Sequence, residues 1–275
     1  NFNKFKANIR LGVGIGFFFL SFYLSFQIFI FILGEKGFPI VFYIHGGGFV
    51  FMTPRNQIYD AFCNRLCESC NAIIISIDYR RSPEFRYPTA YEDCLTTITW
   101  VHNNIKNKIS PYADASSMYL VGDSAGGNIV HHVTSMILTN MPKESRNPLK
   151  LKGIGLLCPF FGGEERTPSE IRMTNSPLIT LQACDSFWNA YLPLGATRDH
   201  QAAHVFGQND IYNYMKLDFP LAMVIVAEHD ILKDWQLRYV EQFRKFGKRI
   251  ILEYCKGGFH SSHLFPQMEM SSYVI

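Results

Sequence analysis

The run Val121-Gly122-Asp123-Ser124-Ala125-Gly126-Gly127-Asn128 constrains this chain more than any other stretch. Before it, Met118-Tyr119-Leu120-Val121 is apolar and strand-like. After it, Asn128 to Leu138 suits a helix. Gly-x-Ser-x-Gly at a strand-to-helix junction is the pattern of a nucleophile elbow, a strained turn that tolerates only small neighbours. Such a turn lifts the Ser124 hydroxyl clear of the sheet. It also aims the Ala125 N–H at the place where an oxyanion would form. Glycine and serine are common in plain turns, so the motif alone is a weak signal and its company decides.

That company is a series of strand-length apolar runs alternating with helix-compatible stretches. The strand candidates are Pro39–Ile44, Ala72–Ile77, Met118–Val121, Leu151–Cys158, Leu221–Ala227 and Arg249–Cys255. Helical stretches fall at 56–70, 88–105, 128–138 and 239–246. Continuous β-branched runs such as Ile73-Ile74-Ile75 suit a central strand of a parallel sheet. The alternation predicts an α/β fold with a mostly parallel central sheet and helices on both faces. Residues 160–216 break it. They hold Phe160, Phe161, Phe187, Trp188, Tyr191, Phe206 and Tyr214, and read as a helical cap or lid insertion, or as a connecting helix pair whose aromatics form its own core.

In a parallel sheet the C-terminal strand ends share one edge, and the polar residues of this chain cluster there. The first strand runs into His45-Gly46-Gly47-Gly48, whose side-chain-free backbone lets N–H groups converge on one oxygen. Glu228-His229-Asp230 closes another strand, and Gly257-Gly258-Phe259-His260 the last. The order Ser124, Asp230, His260 places nucleophile, acid and base as an acyl-transfer triad needs them. His263 competes with His260 for the base, and Glu228 and Asp234 compete with Asp230 for the acid. Asp234 reads as the N-cap of the following helix. Asp78, Arg80 and Arg81 follow a buried strand and read as a structural ion-pair cluster. His131 and His132, behind Ser124, read as packing or solvent-facing residues.

The 275 residues and 48% hydrophobic content support one large domain, assigned here to 38–275. A net charge of +3 with scattered basic residues gives no nucleic-acid signature. Seven cysteines at irregular positions suggest reduced thiols and a cytoplasmic setting. Cys63, Cys67 and Cys70 have the spacing of an iron–sulfur motif but fall inside a helical pattern, which cannot wrap a cluster. Residues 1–37 differ from the rest. From Leu11 to Gly34 there are 24 uncharged residues rich in phenylalanine, preceded by Lys4, Lys6 and Arg10. They read as a membrane anchor with a cytoplasmic N-terminus, or as sequence foreign to the native protein. Any membrane contact is expected only through 11–34.

These motifs resemble a known group. His45 to Phe49, Asp78-Tyr79-Arg80 with Pro83-Glu84, and Gly122 to Ile129 look like plant carboxylesterases of the hormone-sensitive-lipase-like group. So do Pro159 to Gly163, Phe187-Trp188, and Gly195 to His200. The resemblance implies an α/β-hydrolase fold and a serine esterase acting on small carboxylic esters without a cofactor or metal. It implies Ser124 as nucleophile, Asp230 as acid, His260 as base, and an oxyanion hole of Gly46, Gly47, Gly48 and Ala125. Gibberellin receptors and dehydratase-type lyases resemble the same group and give the alternatives. The chain departs from the family in its short N-terminal region and in Ser261-Ser262-His263 after the base.

Overall fold

The computed structural model describes residues 14–19, 25–30, 37–105, 109, 111–140, 149, 151–173, 176–207 and 216–268. They build one twisted sheet with helices on both faces. The strands are β1 (Gly14–Phe19), β2 (Ser25–Ile30), β3 (Phe38–Ile44), β4 (Ile73–Asp78), β5 (Ala113–Asp123), β6 (Leu151–Leu157), β7 (Leu221–His229) and β8 (Ile250–Phe259). Their order across the sheet is β1-β2-β4-β3-β5-β6-β7-β8. The six strands from β4 to β8 in this order are parallel, while β1 and β2 pair antiparallel at one edge.

Side chains along β3 show why the sequence adopts this arrangement. Ile40, Phe42 and Ile44 enter one core, while Val41 and Tyr43 enter the core on the opposite face. A strand buried on both faces must be apolar throughout, which is why β3 and β4 read as unbroken apolar runs. Each fully buried Phe or Ile there contributes roughly 1.5–3 kcal/mol relative to exposure. β8 lies at the other edge and carries Glu253, Lys256 and exposed Ile251, as an edge strand does.

Helices α1 (Gln57–Cys70), α2 (Thr89–Asn104) and α3 (Ala125–Asn140) cover the sheet. α1 packs Tyr59, Phe62, Cys63, Leu66 and Cys67 onto the second core face. Cys63 and Cys67 are therefore buried core residues on one helix, and Cys70 is exposed at its end, not a cluster-binding loop. Arg80 grips Asp93 with Nε at 2.9 Å and Nη2 at 2.6 Å, tying the loop after β4 to α2. Arg81 pairs with Asp78 at 2.8 Å. The ion-pair cluster expected from these charges is present.

The insertion after β6 contains α4 (Pro168–Arg172) and α5 (Leu181–Tyr191). A capping box starts α4: Thr167 accepts from the Glu170 N–H, and the Glu170 carboxylate accepts from the Thr167 N–H. Most of the insertion's aromatics join the main core of the domain, and do not form a core of their own. Phe160 stacks on Trp188 at 4.4 Å, and Tyr191 stacks on Phe49 at 3.7 Å. Tyr214 lies outside the described residues. The helix after β7, α6 (Lys233–Lys245), begins six residues before the stretch expected from the sequence. Asp234 is accordingly not its N-cap. It lies in the first turn and accepts the Ser169 N–H at 2.7 Å, joining α6 to α4.

The N-terminal run is described at residues 14–19 and 25–30. Where described, the stretch expected to form a 24-residue span is strand: Gly14 pairs with Ile30, and Phe26 pairs with Ile77 of β4. A uniformly apolar run satisfies helix and strand periodicities alike, and its Phe and Ile content favours strand once an open sheet edge is available. No helix among the described residues is long and apolar enough to cross a membrane.

Candidate active site

Ser124 follows β5 directly and adopts φ 51°, the left-handed backbone of a sharp turn. Its N–H donates to Leu157 O at 2.9 Å, and its carbonyl accepts from Phe160 at 2.8 Å and Asn128 at 3.1 Å. Those bonds lock the turn between β5, the end of β6 and the start of α3. Gly126 is needed for close approach, because a Cβ there would lie inside the Ile44 carbonyl. Gly126→Ala is therefore expected to give little folded protein, measured as soluble yield and thermal transition against the wild type.

The imidazole of His260 lies beside this hydroxyl, with Nε2 2.9 Å from Ser124 Oγ. Its Nδ1 is 2.8 Å from Asp230 Oδ2. With a carboxylate at Nδ1, the proton of the neutral ring belongs there, so Nε2 accepts from the serine hydroxyl. Asp230 is fully buried, with Oδ1 accepting from the Leu232 N–H and Oδ2 from Gln236, both at 2.9 Å. Burial alone would raise the Asp230 carboxyl, but the charge of His260 and the donated hydrogen bonds hold it below the usual range. Burial alone would lower His260, but Asp230, aided by Asp123, raises it above the ordinary imidazole value.

The rivals are placed elsewhere. His263 sits in a short 3₁₀ turn (Ser262–Leu264) and packs edge-on against Phe62 at 5.3 Å. Burial pushes its imidazole down to about 3, so it remains neutral. Ser262, whose presence after the base left the loop shape open, takes the Phe259 N–H on its hydroxyl at 3.2 Å and closes that turn. Glu228 accepts from Gly257 N–H at 2.8 Å. His131 and His132 are buried packing residues: His131 bonds the Tyr239 hydroxyl at 3.0 Å, and His132 stacks on Tyr91 at 4.7 Å.

The glycine loop after β3 faces the same opening. Gly48 has φ 60°, and a side chain on it would enter the Phe187 ring. A cavity of about 270 Å³ lies over Ser124 and His260, lined by Gly47, Gly48, Phe51, Met52, Leu178, Phe187, Leu264 and Phe265 among others. Its lining includes no lysine, arginine, aspartate or glutamate. The size, just under that of drug-sized ligand sites, suits a small molecule. The sequence left the aromatics of 160–216 either over the site or packed on one another. Of those, Phe187 lines the cavity; the rest of the apolar wall comes from Phe51 and Met52, Ile58 and Tyr59 of α1, Leu178 and Ile179, and Leu264 and Phe265.

Two further features were missed. Asp123 is buried among Tyr43, Tyr59 and Gly46. Cys158, with φ 46°, places its thiol with Asp230 and His260, three ligand-type groups within 4.8 Å of one another. Asp230 and His260 are committed to each other, and burial keeps the Cys158 thiol protonated by raising it well above its ordinary value. The group is a poor metal trap.

A mostly parallel sheet with a serine elbow at one strand end and a glycine loop beside it defines an α/β hydrolase. The chain belongs to that family: it matches the α/β hydrolase fold over residues 41–264. It is 39% identical to the gibberellin receptor GID1B of Arabidopsis thaliana over 218 residues, 79% of this chain and 58% of the receptor. It is 34% identical to carboxylesterase 20 of Arabidopsis thaliana over 229 residues, 82% of this chain and 69% of that one. The chain spans 58–64% of the length of four gibberellin receptors that it matches. An esterase structure from Pyrobaculum calidifontis superposes with a TM-score of 0.77 at 25% identity, covering 100% of this chain and 83% of that one.

Proposed function

We propose that this protein is a serine carboxylesterase that hydrolyses small, uncharged carboxylic esters through an acyl-enzyme. The observation that carries the reading is the unbroken line of hydrogen bonds from Ser124 Oγ through His260 to Asp230. A serine hydroxyl is a poor nucleophile at neutral pH, and an adjacent neutral imidazole removes its proton during attack. Asp230 holds the ring in the required tautomer and stabilises the imidazolium that forms. Gly46, expected among the oxyanion donors, spends its N–H on Asp123 and Tyr59, which leaves Gly47, Gly48 and Ala125 as the donors for the developing oxyanion. Ala125 begins α3, so the helix dipole adds to its donor. His260 then passes its proton to the leaving alcohol, and water repeats the cycle on the acyl-serine. A relative named 3-O-acetylpapaveroxine carboxylesterase CXE1 in Papaver somniferum, 31% identical over 250 residues, supports an ester substrate.

The second reading, a small-molecule receptor, is favoured by the 34–39% identity to gibberellin receptors. A receptor has no need of a base on its serine, and this chain has one within 2.9 Å. Incubation with a fluorophosphonate probe and with p-nitrophenyl acetate separates the readings. The expected result is stoichiometric labelling of Ser124 and steady turnover. Binding of a gibberellin without labelling or turnover would establish the receptor instead. Elimination of water from a hydroxyisoflavanone with no ester cleavage would establish the lyase.

A further inference from the structure

Asp123 is the last residue of β5, immediately before the nucleophile, and is fully buried. Its Oδ1 accepts from the Tyr43 hydroxyl at 2.8 Å and from the Gly46 N–H at 2.9 Å. Its Oδ2 accepts from the Tyr59 hydroxyl at 2.9 Å. Tyr59 in turn accepts from the Gly46 N–H at 3.0 Å, so the same amide is held by two oxygens. All three groups turned toward the carboxyl are donors. These donors favour the ionised form, while burial works against them and raises Asp123 above the ordinary carboxyl value. A buried carboxylate with no lysine or arginine among its described partners is expensive to keep.

The groups that act on Asp123 account for it. Tyr43 comes from β3, Tyr59 and Cys63 from α1, Tyr79 from the loop after β4, and His260 from the end of β8. Burial holds both tyrosines and Cys63 above their ordinary values, so they stay neutral. His260, 2.9 Å from the hydroxyl of Ser124, the residue next to Asp123, is the group among them that gains positive charge, and it does so as the serine is deprotonated. It also faces Asp230 and the neutral His263.

We propose that Asp123 is a positioning residue of the esterase reaction: its carboxylate clamps Gly46, and with it the Gly46–Gly48 loop, and sets a second negative charge near the catalytic imidazole. The inference rests on the esterase reading. The clamp fixes the oxyanion donors before substrate arrives. The charge is neutralised only when His260 is protonated, the state the transition state requires, so its effect falls on kcat more than on KM.

The test compares Asp123→Asn with the double variant Tyr43→Phe, Tyr59→Phe, using p-nitrophenyl acetate kinetics across pH. In Asp123→Asn the acid limb of kcat/KM, which reports His260, is expected to move down by about 0.5 pH unit or more. Its kcat is expected to fall about tenfold or more, with KM within about threefold. The tyrosine pair keeps the charge and loosens the clamp, so kcat falls while the acid limb does not move down. An unmoved acid limb in Asp123→Asn overturns the proposal. If that variant does not fold, wild-type kcat in the tyrosine pair overturns it. An inert wild type, by contrast, would refute the esterase reading itself.

Discussion

Ser124→Ala is expected to lower kcat for a p-nitrophenyl ester by about 10⁶-fold, with the folded protein retained. The side chain removed makes its hydrogen bond to His260, and the backbone bonds that hold the elbow do not involve it. His260→Ala should cost about as much, and the double variant hardly more, since either loss disables the same proton transfer. Asp230→Asn should fall less, by about 10⁴-fold, because an amide at that position favours the wrong imidazole tautomer without removing the base. Its side chain also accepts from Leu232 and Gln236, so the asparagine variant needs a thermal transition measured beside its kinetics. The ordering of the three variants is more diagnostic than any one. A hydrolase that survived Ser124→Ala within tenfold would place its nucleophile elsewhere. One that lost activity equally in all three, together with its folded signal, would show only that the site supports the fold.

The site residues were legible because a parallel sheet converts chain order into position. Each strand run ended in its own chemistry: glycines after β3, serine after β5, aspartate after β7, histidine after β8. The sheet needs no further information to bring Asp230 and His260 to one edge. What was illegible depended on contacts between elements. Asp123 meets Tyr43 and Tyr59 across separations of 80 and 64 residues, and no local pattern marks either tyrosine. An aspartate at a strand end directly before the elbow was the signal available, and it was passed over as part of the motif. The described parts of the N-terminal run are strand, because a Phe- and Ile-rich apolar stretch fits either period and the open edge of β4 accepts it. The cap aromatics divided between core and cavity according to which face of α5 they occupy. Trp188 and Tyr191 turn inward, and Phe187, one residue before Trp188, turns to the cavity.

Acidification from pH 7.5 to 5 is expected to unfold this protein at far lower denaturant concentration, and the cause is its buried histidines. In the unfolded chain an imidazole titrates near 6.5. In the folded chain burial pushes His45 down to about 4 and His132 and His263 down to about 3, and it holds His131 well below its ordinary value. Below pH 6.5 the unfolded chain therefore takes up protons that the folded chain refuses. Stability present above pH 6.5 is lost as pH falls toward the folded values. Each such group removes about 1.4 kcal/mol per pH unit once the unfolded imidazole is mostly charged, so four remove on the order of 5 kcal/mol per unit. Asp123 and His260, both raised, work in the opposite direction, so the net slope is smaller. Even half of it is a large share of the 5–15 kcal/mol that holds a typical domain together. The measurement is the urea midpoint at pH 7.5, 6.5 and 5.5 for the wild type and for His263→Leu. Neither ring nitrogen of His263 has a hydrogen-bond partner among the described residues, and the ring rests against Phe62. Leucine there should keep the apolar contact, remove one proton-refusing site and flatten the slope by about one histidine's share. A midpoint that holds steady across this pH range, or a variant as acid-sensitive as the wild type, would mean that these imidazoles are not held neutral by burial.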